Sequence, residues 1–226
     1  MNRPAKLMIG LLLCLFALVL LWVFHAALMQ SPGARLADLA MDSLPLSGVK
    51  NPVTAVLLSY RAYDTLLELA VLLAALLGIW SLGAATPGFQ PAGAALAAMV
   101  SWVVPLLILT GGYLLWVGGY APGGAFQAGA LLGSAGVLLR LAGDERAGLP
   151  SERAQRRLVV AGIAVFALVG LGTMVAGIGF LTYPPGWSKW LILLIETAAT
   201  VSIGVTLAAA YAGGKPRSRA SDGATP

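Results

Sequence analysis

Arg61, Asp64 and Glu68 stand at i, i+3 and i+7, so a helix would carry a guanidinium and two carboxyls on one face. A carboxyl in apolar surroundings can take up a proton or a monovalent cation and release it, and a guanidinium beside it tunes that exchange. Asp64 has such a neighbour one turn away in Arg61, with which it could equally form an ion pair that only pins the helix at the interface. A third carboxyl, Glu196, follows the apolar run Trp190 to Ile195 and precedes Thr197, Thr200 and Ser202. It suits either an ion path or a structural hydrogen bond to a neighbouring helix. His25, the single histidine, suits a proton relay or an interfacial residue. No nucleophile or metal-ligand spacing accompanies these groups, and no cofactor motif is present, so catalytic residues, a metal and a cofactor are not expected.

These charges sit in a chain of 226 residues that is 59% hydrophobic and only 10% charged, with a mean hydropathy of +0.88. Soluble domains are about a quarter charged, so the composition is that of a membrane protein. It excludes a soluble enzyme, a disordered chain and a nucleic-acid reader. Cys14 is alone and lies in an apolar run, which excludes an intrachain disulfide framework and a thiolate metal site.

Six apolar stretches must position the charged groups, at about 7–29, 53–82, 96–117, 126–141, 158–181 and 190–211. The first follows Arg3 and Lys6 like a secretory signal. It is longer than the roughly 7–15 apolar residues of such a signal and is expected to stay as a transmembrane helix. Pro- and Gly-rich punctuation separates the runs, and the intervening loops are too short for a soluble catalytic domain. With the N-terminus inside, the cytoplasmic segments carry Arg3, Lys6, Arg140, Arg146, Arg153, Arg156, Arg157, Lys215, Arg217 and Arg219. The opposite side holds Arg35, Lys50 and Lys189. The fold class expected is therefore an all-α, multi-pass membrane protein of about six transmembrane helices with both termini cytoplasmic. Residues 213–226 read as a disordered tail.

Depth separates the carboxyls. The apolar stretch after Glu68 runs for about 22 Å at 1.5 Å per residue, short of a hydrocarbon core about 30 Å thick. Glu68 and Asp64 are then expected within the core, in its outer half, with Glu68 the deeper of the two. Glu196 enters from the same side and reaches a similar depth. A carboxyl there costs roughly 2.5–3.5 kcal/mol on insertion scales unless it faces a cavity or a partner.

The most distinctive segment is Gly118-Gly119-Tyr120-Ala121-Pro122-Gly123-Gly124-Ala125-Phe126-Gln127-Ala128-Gly129. Pro122, Gly123 and Gly124 permit a tight re-entry turn, and Ala125, Gly129 and Gly133 then recur every fourth residue, a spacing that lets helix backbones approach closely. This segment, with Phe126 at the start of the helix, resembles the MnhB family, the B-type small component of Mrp/Mnh-type multisubunit monovalent-cation/proton antiporters. Ala125 and Ala128 stand here in place of glycines. Upstream lie Asn51-Pro52-Val53-Thr54-Ala55-Val56 and Tyr60-Arg61-Ala62-Tyr63-Asp64-Thr65-Leu66-Leu67-Glu68. They are similar to the C-terminal part of the large A-type component of these antiporters, and to the small E-type component of membrane-bound hydrogenases.

The resemblance implies a two-helix E-type module over residues 1–86 joined to a four-helix B-type module over 91–212. It implies a component of a bacterial inner-membrane complex whose partners include large complex-I-like subunits. Na+ or another monovalent cation and H+ would be the transported ions. Such small subunits pack beside the proton-conducting ones and help to line the cation route, which assigns Asp64, Glu68 and Glu196, with Arg61, to the ion pathway. Two alternatives stay open: the same module in a respiratory complex such as a membrane-bound hydrogenase, and a purely structural scaffold.

Overall fold

The structure is a computed structural model and describes residues 3–29, 35–83, 93–142 and 148–213. Every regular element among these residues is helical. The chain divides into two compact units, residues 1–39 and 40–226.

The first unit is dominated by α1 (Arg3–Met29). From Leu7 to Met29 it has no charged residue, and it is exposed along almost its whole length. A helix apolar on all sides is stable in lipid rather than in water. Cys14 and His25 are carried on it, and both are exposed.

A short helix α2 (Leu36–Asp42) and a 3-10 turn at Leu44–Leu46 lead into the second unit. There follow α3 (Pro52–Ala55), α4 (Ala62–Ser81), α5 (Ala94–Val117), α6 (Ala125–Ala142), α7 (Glu152–Val175) and α8 (Ser188–Ala212). With α1, the long helices α4 to α8 make six that are long and apolar enough to cross a membrane. The expected tail at 213–226 and the 86–91 boundary between the two modules lie almost wholly outside the described residues.

The second apolar run does not form one helix. Asn51 caps α3, its side chain accepting the Val53 N–H with Pro52 at the first helical position. The backbone then widens into a π-helical turn over Val56–Tyr60, closed by the Arg61 N–H donating to the Val56 carbonyl at 2.8 Å. Arg61 itself is non-helical (φ −127°, ψ 35°), and α4 restarts at Ala62. The wide turn puts the Leu57 carbonyl within reach of the Thr65 hydroxyl, which donates to it at 2.6 Å. The fifth run is also displaced. Its helix starts early, at Glu152, where Arg156 pairs with Glu152 one turn on, and ends at Val175 before Gly177 and Gly179 at positive φ.

α8 buries more of its residues than any other described helix and forms the axis of the second unit. α6 lies against it through small residues. A Cβ on Gly129 would come within 2.7 Å of the Ile203 Cβ, and one on Gly133 within 3.0 Å of the Leu207 Cβ. The fourfold spacing thus serves close backbone approach. On the other flank Phe166 of α7 is fully buried in a cluster with Leu58, Leu69, Ile192, Ile195, Ala199 and Ile203. Near the far end, Leu76 and Trp80 of α4 pack on Val159 and Ala209.

Candidate functional site

Three connections expected on one side of the membrane meet at one end of the second unit. The N–H groups of Lys50 and Asn51 both donate to the Gly119 carbonyl, at 2.9 and 3.1 Å. The Asn51 amide donates to the carbonyls of Gly118 and Ala121, each at 2.8 Å, and the Thr54 hydroxyl also donates to Gly118. Helix α5 would otherwise end on unsatisfied carbonyls, which are costly away from water. The third connection closes in at Gly48, where a Cβ would collide with Ser188 at the start of α8. Asn51 and Thr54 therefore hold the glycine turn to the segment before α4.

The turn itself delivers the start of α6 to α8. Gly124 has φ +118°, a conformation that side chains other than glycine rarely adopt. A Cβ there would also lie 2.8 Å from Oε1 of Glu196. The next residue, Ala125, donates its N–H to the Glu196 carboxylate, and the Thr200 hydroxyl donates to the Ala125 carbonyl at 3.4 Å. Two side chains one turn apart on α8 thus clasp a single residue of α6. The carboxylate satisfies one of the orphan N–H groups of the first turn, at the end of the helix that favours negative charge. Glu196 is only 4% exposed, and among the described residues no lysine or arginine forms an ion pair with it.

Glu196 is also the one titratable residue shared by the walls of two cavities. The larger, about 210 Å³, is lined by Lys50, Trp116, Tyr120, Lys189 and Leu193, among others. Lys189 is held there among aromatic rings, its Nζ 5.0 Å from the centre of Tyr120, 5.4 Å from Trp190 and 5.7 Å from Trp116. The smaller, about 30 Å³, is lined by Thr54, Leu57, Thr65, Gly124, Gln127 and Phe166, among others. The π-turn and the glycine turn face each other across it.

The other expected groups are arranged differently. Arg61 and Asp64 form an ion pair on the exposed face of α4, the Arg61 side chain 72% exposed. Glu68, one turn further, is also exposed and has no ion pair among the described residues. The structure does not bring these three to Glu196; α4 offers Thr65 to the small cavity instead. His25 belongs to the first unit. Pro122, Gly123, Gly124 and Phe126 form the turn and the first residues of α6, while Gly129 and Gly133 form its contact with α8.

Sequence reasoning did not single out Lys50, Asn51, Thr54, Thr65, Gln127 or Lys189 as site residues. For Asn51 the signal was present, because Asn followed by Pro is a helix N-cap with a favoured first residue. For the others only the meeting of distant segments identifies them.

Residues 95–212 match the sequence family described as a domain related to the MnhB subunit of Na+/H+ antiporter. No curated protein matches the chain. Among solved structures, the Mrp complex from Dietzia sp. DQ12-45-1b contains a chain that is 22% identical, with a TM-score of 0.66 over 97% of this chain. This chain spans about a quarter of that one, 27% of its length. A chain of the membrane-bound sulfane sulfur reductase, an archaeal respiratory membrane complex, is also 22% identical, with a TM-score of 0.68. That match covers 89% of this chain and 96% of the other. At such identity the likenesses establish a shared fold.

Proposed function

The chain belongs to the family of domains related to the MnhB subunit of Na+/H+ antiporters, and we propose that it is an integral membrane subunit of a multisubunit monovalent-cation/proton antiporter complex. It acts there in transport rather than as an enzyme, next to large complex-I-like subunits. One observation carries this reading. The matched residues, 95–212, are the four helices α5 to α8, and they enclose a carboxyl, Glu196, that no fixed cation among the described residues neutralises. A structural anchor does not require a titratable group at that place; an ion exchanger does.

In this reading residues 1–86 form an E-like module and 91–212 a B-like module, sutured at Asn51 and Gly118. The end that carries Lys50, Tyr120 and Lys189 faces outward, and the end that carries Arg153, Arg156 and Arg157 faces the cytoplasm of a bacterial cell, as do both termini. Arg61, Asp64 and Glu68 present a polar face at membrane depth, which a neighbouring subunit or a water-filled path must cover. They and Glu196, with His25 as a further candidate, contribute to the ion route, while the transported cation is Na+ or another monovalent ion.

A second reading is favoured by one observation. The matched chain of the archaeal respiratory complex is covered over nearly its full length, 96%. The same protein would then carry ions within a respiratory assembly. Purification through a tag on this chain, with its partners identified by mass spectrometry, decides between the two. Large antiporter subunits without redox subunits support the antiporter reading. Co-purifying hydrogenase- or reductase-type subunits support the respiratory one, and a chain recovered without partners contradicts both.

A further inference from the structure

The Glu196 carboxyl divides two cavities of opposite character. On one side lie about 210 Å³ of space, room for several waters, walled in part by two ammonium groups, Lys50 and Lys189. On the other lie about 30 Å³, room for about one water, walled mostly by apolar side chains with two hydroxyls and an amide among them. We propose that Glu196 is a proton-exchange group, selective for protons over alkali cations, that forms the partition between the lysine-lined cavity and the small threonine-lined one. The proposal deepens the antiporter reading and rests on it only for the direction in which the protons travel.

Three features select the proton. First, the buried carboxylate has no ion-pair partner among the described residues, which leaves a proton or a mobile cation to neutralise it. Second, an alkali cation arriving through the larger cavity meets the like charges of Lys50 and Lys189, whereas water carries a proton past them by exchange. Third, the small cavity is too confined for a cation with its hydration shell. Its two hydroxyls already donate, Thr54 to the Gly118 carbonyl and Thr65 to the Leu57 carbonyl. Their lone pairs remain free to accept from a single water that also reaches Glu196 and Gln127. The Ala125 N–H and the first turn of α6 hold the deprotonated form in place without a metal.

The groups that face this carboxyl are few. The segment before α3 contributes Lys50, the α5–α6 turn Tyr120, and α8 Lys189. Across the small cavity α4 contributes Thr65, α6 Gln127 and α7 Phe166, none of which titrates. Tyr183 packs against the same apolar cluster. In the exchange a hydrated proton on one side gives its proton to a carboxylate oxygen of Glu196, leaving water behind and the acid neutral. That proton then leaves to water on the other side, and the carboxylate is restored.

Infrared difference titration of the full chain in lipid nanodiscs, with its co-purified partners, tests this directly. The wild type should show a protonated-carboxyl stretch that disappears as pH rises, and E196Q should lack that component. The midpoint should be the same in sodium, lithium and choline chloride at equal ionic strength. A midpoint moved by Na+ or Li+ makes Glu196 a cation site and overturns the proposal. So does a titration identical in wild type and E196Q. Should E196Q fail to fold, E196D keeps a carboxyl one methylene further from Ala125. Its band should then shift in frequency or midpoint, and an unchanged spectrum would equally overturn the assignment. Failure of the antiporter reading shows elsewhere, in the identity of the co-purified proteins, and leaves the infrared result standing.

Discussion

The side-chain amide of Asn51 donates to the backbone carbonyl of Gly118 at 2.8 Å, across 67 positions of sequence. A second bond from the same amide, to Ala121, makes Asn51 the clamp on the end of α5, while its oxygen caps α3. Two substitutions of Asn51 separate these duties. Asn51→Ala should lower stability by about 1–3 kcal/mol, because buried carbonyls lose their donor. Asn51→Asp keeps the cap but cannot donate, so it should be at least as damaging. Thermal unfolding of the purified chain in nanodiscs measures both. An Asp variant as stable as wild type would mean that Asn51 serves only as a cap.

Glycines on α5 and α6 should respond to the same substitution with opposite signs. Gly129→Ala drives a methyl into Ile203 and should cost roughly 1–3 kcal/mol as α6 and α8 are forced apart. Gly112 has open space where its Cβ would stand, so Gly112→Ala should be neutral or stabilise by up to about 1 kcal/mol. Equal unfolding temperatures for the two variants would contradict the close α6–α8 contact.

On α4 the two carboxyls should differ. Glu68→Gln preserves size and part of the hydrogen bonding but removes titration. The complex should assemble with this variant, and cation/proton exchange in inverted vesicles should fall sharply. Undiminished exchange in an assembled complex would remove Glu68 from the ion route, and loss of assembly would make it a scaffold residue. Arg61→Gln breaks an exposed ion pair with Asp64, worth about 0.2–1 kcal/mol, so its effect on stability should be small.

Tyr183 lies outside the membrane-spanning helices, its hydroxyl buried and without a hydrogen-bond partner among the described residues. Burial pushes this phenol above its usual range. The folded chain therefore keeps a proton that the unfolded chain releases above about pH 10, and stability falls as pH rises through that range. Tyr183→Phe removes both the orphan hydroxyl and this contribution. It should leave stability at neutral pH unchanged or raised, and flatten the alkaline decline seen in unfolding curves. A clear loss at neutral pH would show that the hydroxyl has a partner.

Reporter fusions check the topology. A fusion in the α6–α7 connection, at residues 148–151, and one at the C-terminus should both read cytoplasmic, whereas a fusion near Pro185 should read external. A periplasmic signal from either of the first two would invert the proposed orientation.

The spans were legible in the sequence because crossing a membrane is a property of each segment alone: about twenty apolar residues suffice, whatever their neighbours. For the same reason the cost of Glu68 and Glu196 could be read from their distance to the ends of their runs, and the spacing of Gly129 and Gly133 announced a close helix contact. Local sequence did not reveal the π-turn at Val56–Tyr60, which splits an apolar run that reads as one helix. Nor did it reveal that Glu196 is enclosed while Glu68 remains on an exposed face. Both depend on which helices become neighbours. Asn51 finds its acceptors only when the α5 end arrives beside it, and Glu196 meets Ala125 only because Gly124 turns α6 onto α8. Hydropathy is summed along one helix, whereas a buried carboxyl and its two cavities are made by groups brought together from distant segments of the chain.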